Sequence, residues 1–148
     1  MIKIENLSYR YPANEENEGH LAIDGLNLSV NKGDFIAILG HNGSGKSTLG
    51  KLINAQIFPT TGDIWVDDLN SKDEDTIWDY RAKCSMVFQN PDNQMVATTV
   101  EEEVAFGVEN LKVANPELRN RVDSAIELVG MSDYKKRNPA NLSGGQKQ

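Results

Sequence analysis

Residues 40–47 read Gly40-His41-Asn42-Gly43-Ser44-Gly45-Lys46-Ser47, and few octapeptides restrict a fold as tightly. They satisfy the pattern Gly-x-x-x-x-Gly-Lys-Ser/Thr in full. The run before them, Phe35-Ile36-Ala37-Ile38-Leu39, is apolar without alternation, the pattern of a strand buried on both faces as in a parallel sheet. After them Leu49, Leu52 and Ile53 recur at helical spacing, which predicts a helix from near Lys46. A strand, a glycine-rich turn and a helix in that order form a phosphate cradle. The glycines let the backbone wrap closely, with N–H groups aimed inward. The helix start adds its positive end, worth roughly 0.3–1 kcal/mol at an exposed site. Lys46 supplies a full charge to the β- and γ-phosphates of a nucleotide, and the Ser47 hydroxyl is a candidate Mg²⁺ ligand. The competing reading, a glycine-rich turn with an incidental lysine, ignores the flanking pattern. Asn42 and His41 are weaker candidates, and His41 reads equally as a solvent-facing side chain.

The rest of the chain alternates strands with helices. Leu26, Leu28 and Val30 alternate with polar neighbours, as in a strand with one wet face. Asn31-Lys32-Gly33-Asp34 is a turn, and residues 13–20 form a polar, acidic surface loop after an N-terminal strand. Ile64, Trp65 and Val66 predict a short strand, and residues 84–88 a further buried one. A helix opens at Thr99 with Glu102 in capping-box position, its apolar stripe being Val100, Val104, Val108 and Leu111. Another has Asn115 as cap and Pro116 in its first turn. It turns Leu118, Val122, Ala125, Ile126 and Val129 inward and ends at Gly130. Such alternation around a parallel core is an α/β reading.

Composition narrows the partners. Hydrophobic residues at 39% and charged residues at 25% are ordinary for a globular chain and argue against disorder. A net charge of -7 disfavours a nucleic-acid partner, because phosphate backbones need clustered Lys and Arg. Lys135-Lys136-Arg137 is too short to reverse that. No apolar run approaches the roughly 20 residues that span a bilayer, and the N-terminus does not read as a signal peptide. The single Cys84 reads as a small buried hydrophobe rather than a catalytic thiol, and it suits a cytoplasmic setting.

A second glycine-rich helix start lies at Leu142-Ser143-Gly144-Gly145-Gln146, where Ser143 and Gln146 have capping-box spacing. Taken alone this is a plain helix cap. Paired with a phosphate loop, it makes the chain resemble the ATP-binding-cassette superfamily, whose signature is Leu-Ser-Gly-Gly-Gln. The resemblance covers essentially all of the chain. It implies the fold of a phosphate-loop ATPase domain, here its N-terminal part, with an antiparallel β-subdomain and part of a helical subdomain at about 99–142. It implies that two cassettes close head to tail over two ATP molecules, so that Ser143, Gly144, Gly145 and Gln146 contact the nucleotide held by the partner. Residues 40–47 and Thr48 then bind ATP, Tyr11 is the aromatic that stacks on adenine, and Gln89 reaches Mg²⁺ together with Ser47. From the residues alone, an alternative for Tyr11 is packing on the sheet as a strand-end aromatic, and Gln89 is a polar residue at a strand end.

The stretch Phe88-Gln89-Asn90-Pro91-Asp92-Asn93-Gln94, with Val104-Ala105-Phe106-Gly107-Val108-Glu109-Asn110, resembles the ATPases of energy-coupling-factor transporters, which import vitamins and metal ions. Residues 90–94 are more similar to the first than to the second of the paired ATPases. The partners so implied are a second ATPase, a transmembrane coupling protein and a substrate-binding membrane subunit, with the chain peripheral at the cytoplasmic face. Glu101, Glu102 and Glu103 allow two readings: complement to a helix dipole, or a landing place for a basic coupling helix.

The family pattern continues after the signature with a strand ending in Asp-Glu, a loop contacting the opposite cassette and a histidine. None of these occurs in residues 1–148. The chain alone is therefore expected to bind nucleotide without hydrolysing it, since the general base belongs to that later segment. Strands flanking 35–39 also come from there, so those side chains are expected to be exposed and the chain alone poorly stable. Two other classes compete. A DNA-repair or chromosome-maintenance ATPase shares both motifs but separates them with a coiled coil, and no sustained heptads lie between them here. A non-catalytic nucleotide-binding fragment is the other.

Overall fold

The computed structural model describes residues 1–13, 19–88 and 95–148. They fall into two compact units, Met1–Met86 and Val87–Gln148, each with its own apolar cluster.

In the first unit β1 (Ile2–Arg10) lies between β2 (Leu21–Val30) and β3 (Thr61–Val66), with the two-residue β4 (Leu69–Asn70) beyond β3. Every pairing is antiparallel. From Leu26 to Val30, β2 alternates half-buried and exposed residues, as its sequence predicts. β1 departs from alternation, because Ile4 and Leu7 both enter the core. The register slips between them and Asn6 takes φ 47°, so a bulge absorbs the extra residue. The Asn6 N–H donates to Asn27 Oδ1 at 2.9 Å, and Asn27 Nδ2 donates back to Asn6 Oδ1 at 3.3 Å. Gly62 packs against this bulge, where a Cβ would stand 2.3 Å from the Asn6 carbonyl oxygen. Only glycine fits there.

Helix α1 (Lys46–Ile53) lays Leu49 and Leu52 against Ile4, Leu7, Ile64 and Val66. Helix α2 (Ile77–Lys83) then closes over the end of α1. The fully buried Tyr80 donates its hydroxyl to the Ile53 carbonyl at 2.8 Å, and Arg81 donates to the Ala55 carbonyl at 2.9 Å. Carbonyls at a helix end have no partner inside the helix, so these bonds satisfy them. Burial pushes the Tyr80 phenol and the Cys84 thiol up from their ordinary values. Half-buried Cys84 packs on the same cluster, in keeping with a small hydrophobe.

The chain at 35–39 and 84–88 makes no ladder among the described residues, against the sequence expectation of two buried strands. Phe35 is 94% exposed and Leu39 90%. A strand is defined by its neighbours, and the antiparallel sheet offers 35–39 none. The apolar side chains stand in the open as expected; the burial does not.

The second unit packs α3 (Val100–Asn110) against α4 (Glu117–Leu128). The Thr99–Glu102 capping box forms as predicted. Pro116 rather than Asn115 takes the N-cap position of α4. At the other end, the Gly130 N–H donates to the Glu127 carbonyl and the Met131 N–H to the Ile126 carbonyl, each at 2.9 Å, with Gly130 at φ 68°. This left-handed closure exposes Val129, expected inward, and puts Met131 on the cluster instead. Leu111, likewise expected in the stripe, caps α3 and is exposed. Two short 3-10 turns, Ser132–Tyr134 and Pro139–Asn141, lead to the one-turn α5 (Gly144–Lys147). No helix among the described residues is long and apolar enough to cross a membrane.

Candidate functional site

The loop at 40–47 leaves residues 35–39 and enters α1 through Gly45, the helix N-cap, at φ 89°. Gly43 also adopts a left-handed conformation, at φ 83°. Space dictates Gly45 as well, since a Cβ would meet the Ala22 carbonyl oxygen of β2 at 2.6 Å. The loop is thus clamped between the sheet edge and the first turn of α1.

Lys46 curls back into this loop. Its Nζ donates to the carbonyl oxygens of Gly40 at 2.9 Å and His41 at 2.7 Å, and to Ser44 Oγ at 3.4 Å. The Ser44 N–H donates to the His41 carbonyl at 3.2 Å, which closes the turn. His41 donates from Nδ1 to the Asn42 carbonyl at 2.8 Å, so its ring serves the loop, while Asn42 is exposed. The concavity therefore gathers an ammonium, a hydroxyl and the positive end of a helix. Beside it a cleft of about 310 Å³ is lined by Ile38, Leu39, Ser44, Gly45, Lys46 and Leu49 among others.

Ser47 is exposed in the first turn of α1, next to Lys46. One hydroxyl suits Mg²⁺, which keeps much of its water shell and takes few protein ligands. Gln89, the other predicted ligand, lies outside the described residues. Among those residues no group of three or more His, Cys, Asp or Glu could hold a metal ion. Thr48 is buried, and its Oγ1 shares a hydrogen bond of 3.1 Å with the Tyr11 hydroxyl. That bond ties Tyr11, 37% exposed, to the first turn of α1. Tyr9 meets the Tyr11 ring edge-on, with centroids 4.9 Å apart. Sequence reasoning missed Tyr9 as this support, although residues two apart share a face of an extended chain. It also missed Ala22, whose carbonyl limits Gly45.

Residues 143–146 belong to the second unit. Ser143 Oγ accepts from the Gln146 N–H at 3.3 Å, and Gln146 Oε1 accepts from the Ser143 N–H at 2.9 Å, a complete capping box. Leu142 is buried against Val100, Val122 and Ile126. Gly144 and Gly145 are exposed, and a Cβ built on either would meet nothing within 4 Å.

The three glutamates opening α3 are all engaged by the chain itself. Glu102 accepts from the Thr98 hydroxyl at 2.7 Å and the Thr99 N–H at 3.0 Å, bonds that hold its carboxyl below the usual value. Glu103 accepts from the N–H groups of Val96 and Ala97, each at 2.8 Å. Glu101 faces Lys136, Lys135 and Arg119. The bonds at Glu102 and Glu103 are those of a helix start.

The chain matches the ABC transporter family over residues 23–148, and it belongs to that family. It is 53% identical over 148 residues to the energy-coupling factor transporter ATP-binding protein EcfA1 of Clostridium novyi, covering all of this chain and 52% of that protein. The corresponding protein of Clostridioides difficile is also 53% identical, with 53% of it covered. The chain thus spans about half the length of the curated relatives it matches. Among solved structures, cbiO1 of Clostridium perfringens, part of the ABC transporter complex cbiONQ, aligns with a TM-score of 0.79 and 36% identity over 99% of this chain and 57% of that one. The ATP-binding cassette MJ0796 aligns with a TM-score of 0.78 and 28% identity, over 99% of this chain and 65% of that one. The fold is that of the nucleotide-binding domain of ABC ATPases, of which this chain carries an antiparallel sheet and helices.

Proposed function

We propose that the chain is the nucleotide-binding part of the ATP-binding subunit of an energy-coupling-factor importer, a machine that couples ATP hydrolysis to uptake of vitamins or transition-metal ions. The observation that carries this reading is the placement of the Lys46 ammonium within the 40–46 loop at the start of α1. When a triphosphate enters, phosphate oxygens replace the Gly40 and His41 carbonyls as acceptors for Nζ. The loop amides of residues 40–46 and the α1 N-terminus supply the remaining donors. Tyr11, held by Thr48 and Tyr9, offers an aromatic surface for the adenine. Ser47, with Gln89, holds Mg²⁺, which when bound neutralises charge on the phosphates. Ser143, Gly144, Gly145 and Gln146 meet the nucleotide of a second ATPase subunit. That a Cβ at Gly144 or Gly145 would meet no other part of the described residues supports a surface kept bare for an approaching ligand.

The subunit sits at the cytoplasmic face of the membrane beneath a transmembrane coupling protein and a substrate-binding subunit. Support comes from the names of the EcfA1 relatives and from the complex to which cbiO1 belongs. On this reading residues 1–148 carry the binding of the nucleotide. Calorimetric titration of Mg-ATP into the full-length protein tests the core of the reading. Lys46→Ala should weaken binding about 10- to 100-fold, the worth of a charge-assisted contact. Affinity equal to that of the parent would place the nucleotide elsewhere.

A further inference from the structure

Glu101 is bound to the segment 135–137 by both its main chain and its side chain. Its N–H donates to the Lys135 carbonyl at 3.0 Å, while the neighbouring Val100 N–H donates to the Arg137 carbonyl, also at 3.0 Å. These amides belong to the first turn of α3, where donors lack a partner within the helix. The segment therefore acts as a second cap alongside Thr99. The Glu101 carboxylate then grips the same segment. Oε1 accepts from Lys136 Nζ, and Oε2 lies 3.8 Å from both Lys135 Nζ and Arg119 Nη1. The side chain is only 16% exposed, and no hydrogen bond reaches Oε2. At that oxygen the carboxylate meets the two cations by charge alone. Lys135 is tied in turn to Asp123 of α4 at 2.5 Å.

Little slack separates this knot from Ser143. Asn138 Oδ1 accepts from the Ala140 N–H at 2.8 Å and fixes the Pro139–Asn141 turn. Pro139 is fully buried, and Leu142 enters the cluster beside Val100, the residue next to Glu101. A turn capped at one end and plugged at the other passes a shift at 135–137 directly to the capping box at 143–146.

We infer that Glu101 is a positioning residue: by holding residues 135–137 against α3, it sets where Ser143, Gly144 and Gly145 stand. The inference rests on the reading of residues 143–146 as a turn that faces a nucleotide. Glu101 touches no nucleotide and acts only through the segment it anchors.

Steady-state ATP hydrolysis by the full-length protein tests it. Glu101→Gln keeps the shape and removes the charge. It should lower kcat about 3- to 10-fold, the range expected for coupling through a packed network. Glu101→Asp, which keeps the charge, should recover most of the loss. An unchanged kcat in Glu101→Gln overturns the proposal. So does a fall in kcat that follows the melting temperature in every variant, Asp included, since that is what a merely structural residue would give. Gly144→Ala separates the two layers. If it lowers kcat and Glu101→Gln does not, the tether alone is wrong; if neither does, the reading of residues 143–146 falls and takes the tether with it.

Discussion

Residues 40–47 and 143–146 are both glycine-rich turns that open a helix, but their glycines answer to different demands. Gly43 and Gly45 have φ values that side chains rarely adopt, and Gly45 is also pressed against the Ala22 carbonyl. The chain itself requires them. Gly144 and Gly145 have ordinary backbone angles and open space around the position of a Cβ. A glycine in the first turn of a helix costs stability relative to alanine, and nothing within the chain offsets it. The first turn needs its glycines for its own fold; the second does not.

The largest effect should come from breaking the first turn. Gly45→Ala forces a Cβ into the left-handed region and into the Ala22 oxygen. The left-handed placement alone costs about 1–2 kcal/mol, and the contact adds to it. Denaturant unfolding should show a loss of about 2 kcal/mol or more, with nucleotide binding lost alongside. A Gly45→Ala protein of parental stability would mean that the loop relaxes freely, and the contrast between the turns would vanish.

How much of this could be read beforehand follows the distance over which each feature is decided. Both capping boxes, Thr99 with Glu102 and Ser143 with Gln146, are settled within three residues, and both form as the sequence predicts. The alternation of Leu26, Leu28 and Val30 is equally local. The start of α1 at Lys46 follows from a motif that needs a helix there. What failed was decided at longer range. Phe35 to Leu39 has the composition of a central strand, but composition cannot supply the neighbouring strands that make a ladder. Val129 fits the helical period of α4, yet the closure at Gly130 hands its place to Met131. The bulge at Asn6 has no signal in a run of polar and apolar residues, because it is set by Gly62 on another strand. The knot between Glu101 and Lys136 joins residues that sequence alone does not pair. Within the site, the loop was legible and its supports were not. Tyr11 bonds Thr48 across thirty-seven positions, and Ala22 meets Gly45 through a backbone atom that any residue would carry.

A smaller effect concerns how the second unit answers to pH. The Glu102 carboxyl is held below its usual value, mainly by the Thr98 and Thr99 bonds. A carboxylate whose folded value is depressed contributes stability above its unfolded value, and that contribution is lost as pH falls through the folded one. Acid should therefore loosen the start of α3 first in the window below the ordinary glutamate range. Glu102→Gln can still accept the Thr99 N–H but cannot titrate. The protection of its α3 amides, taken relative to the intrinsic exchange rate at each pH, should depend less on pH between neutrality and acid than that of the parent. Identical acid profiles for the two would show that the capping carboxylate contributes nothing by its charge.

The smallest effect on the fold is the most telling for the comparison. Gly144→Ala adds one methyl group where, apart from its chain neighbours and its own helix backbone, no atom of the described residues lies within 4 Å, and it leaves the Ser143–Gln146 box in place. Alanine is also the better helix former. The unfolding free energy should stay within about 0.5 kcal/mol of the parent, or rise slightly. Turnover should respond quite differently, because a methyl group between the turn and a phosphate displaces the ligand, and misplacement on the scale of an ångström can cost about 100-fold. Stability and ATP hydrolysis measured on the same full-length protein then separate the two demands on glycine. A variant that loses stability in step with turnover would show that Gly144 serves the fold, as Gly45 does. A variant that keeps both would leave the bare surface at 143–146 without a nucleotide to explain it.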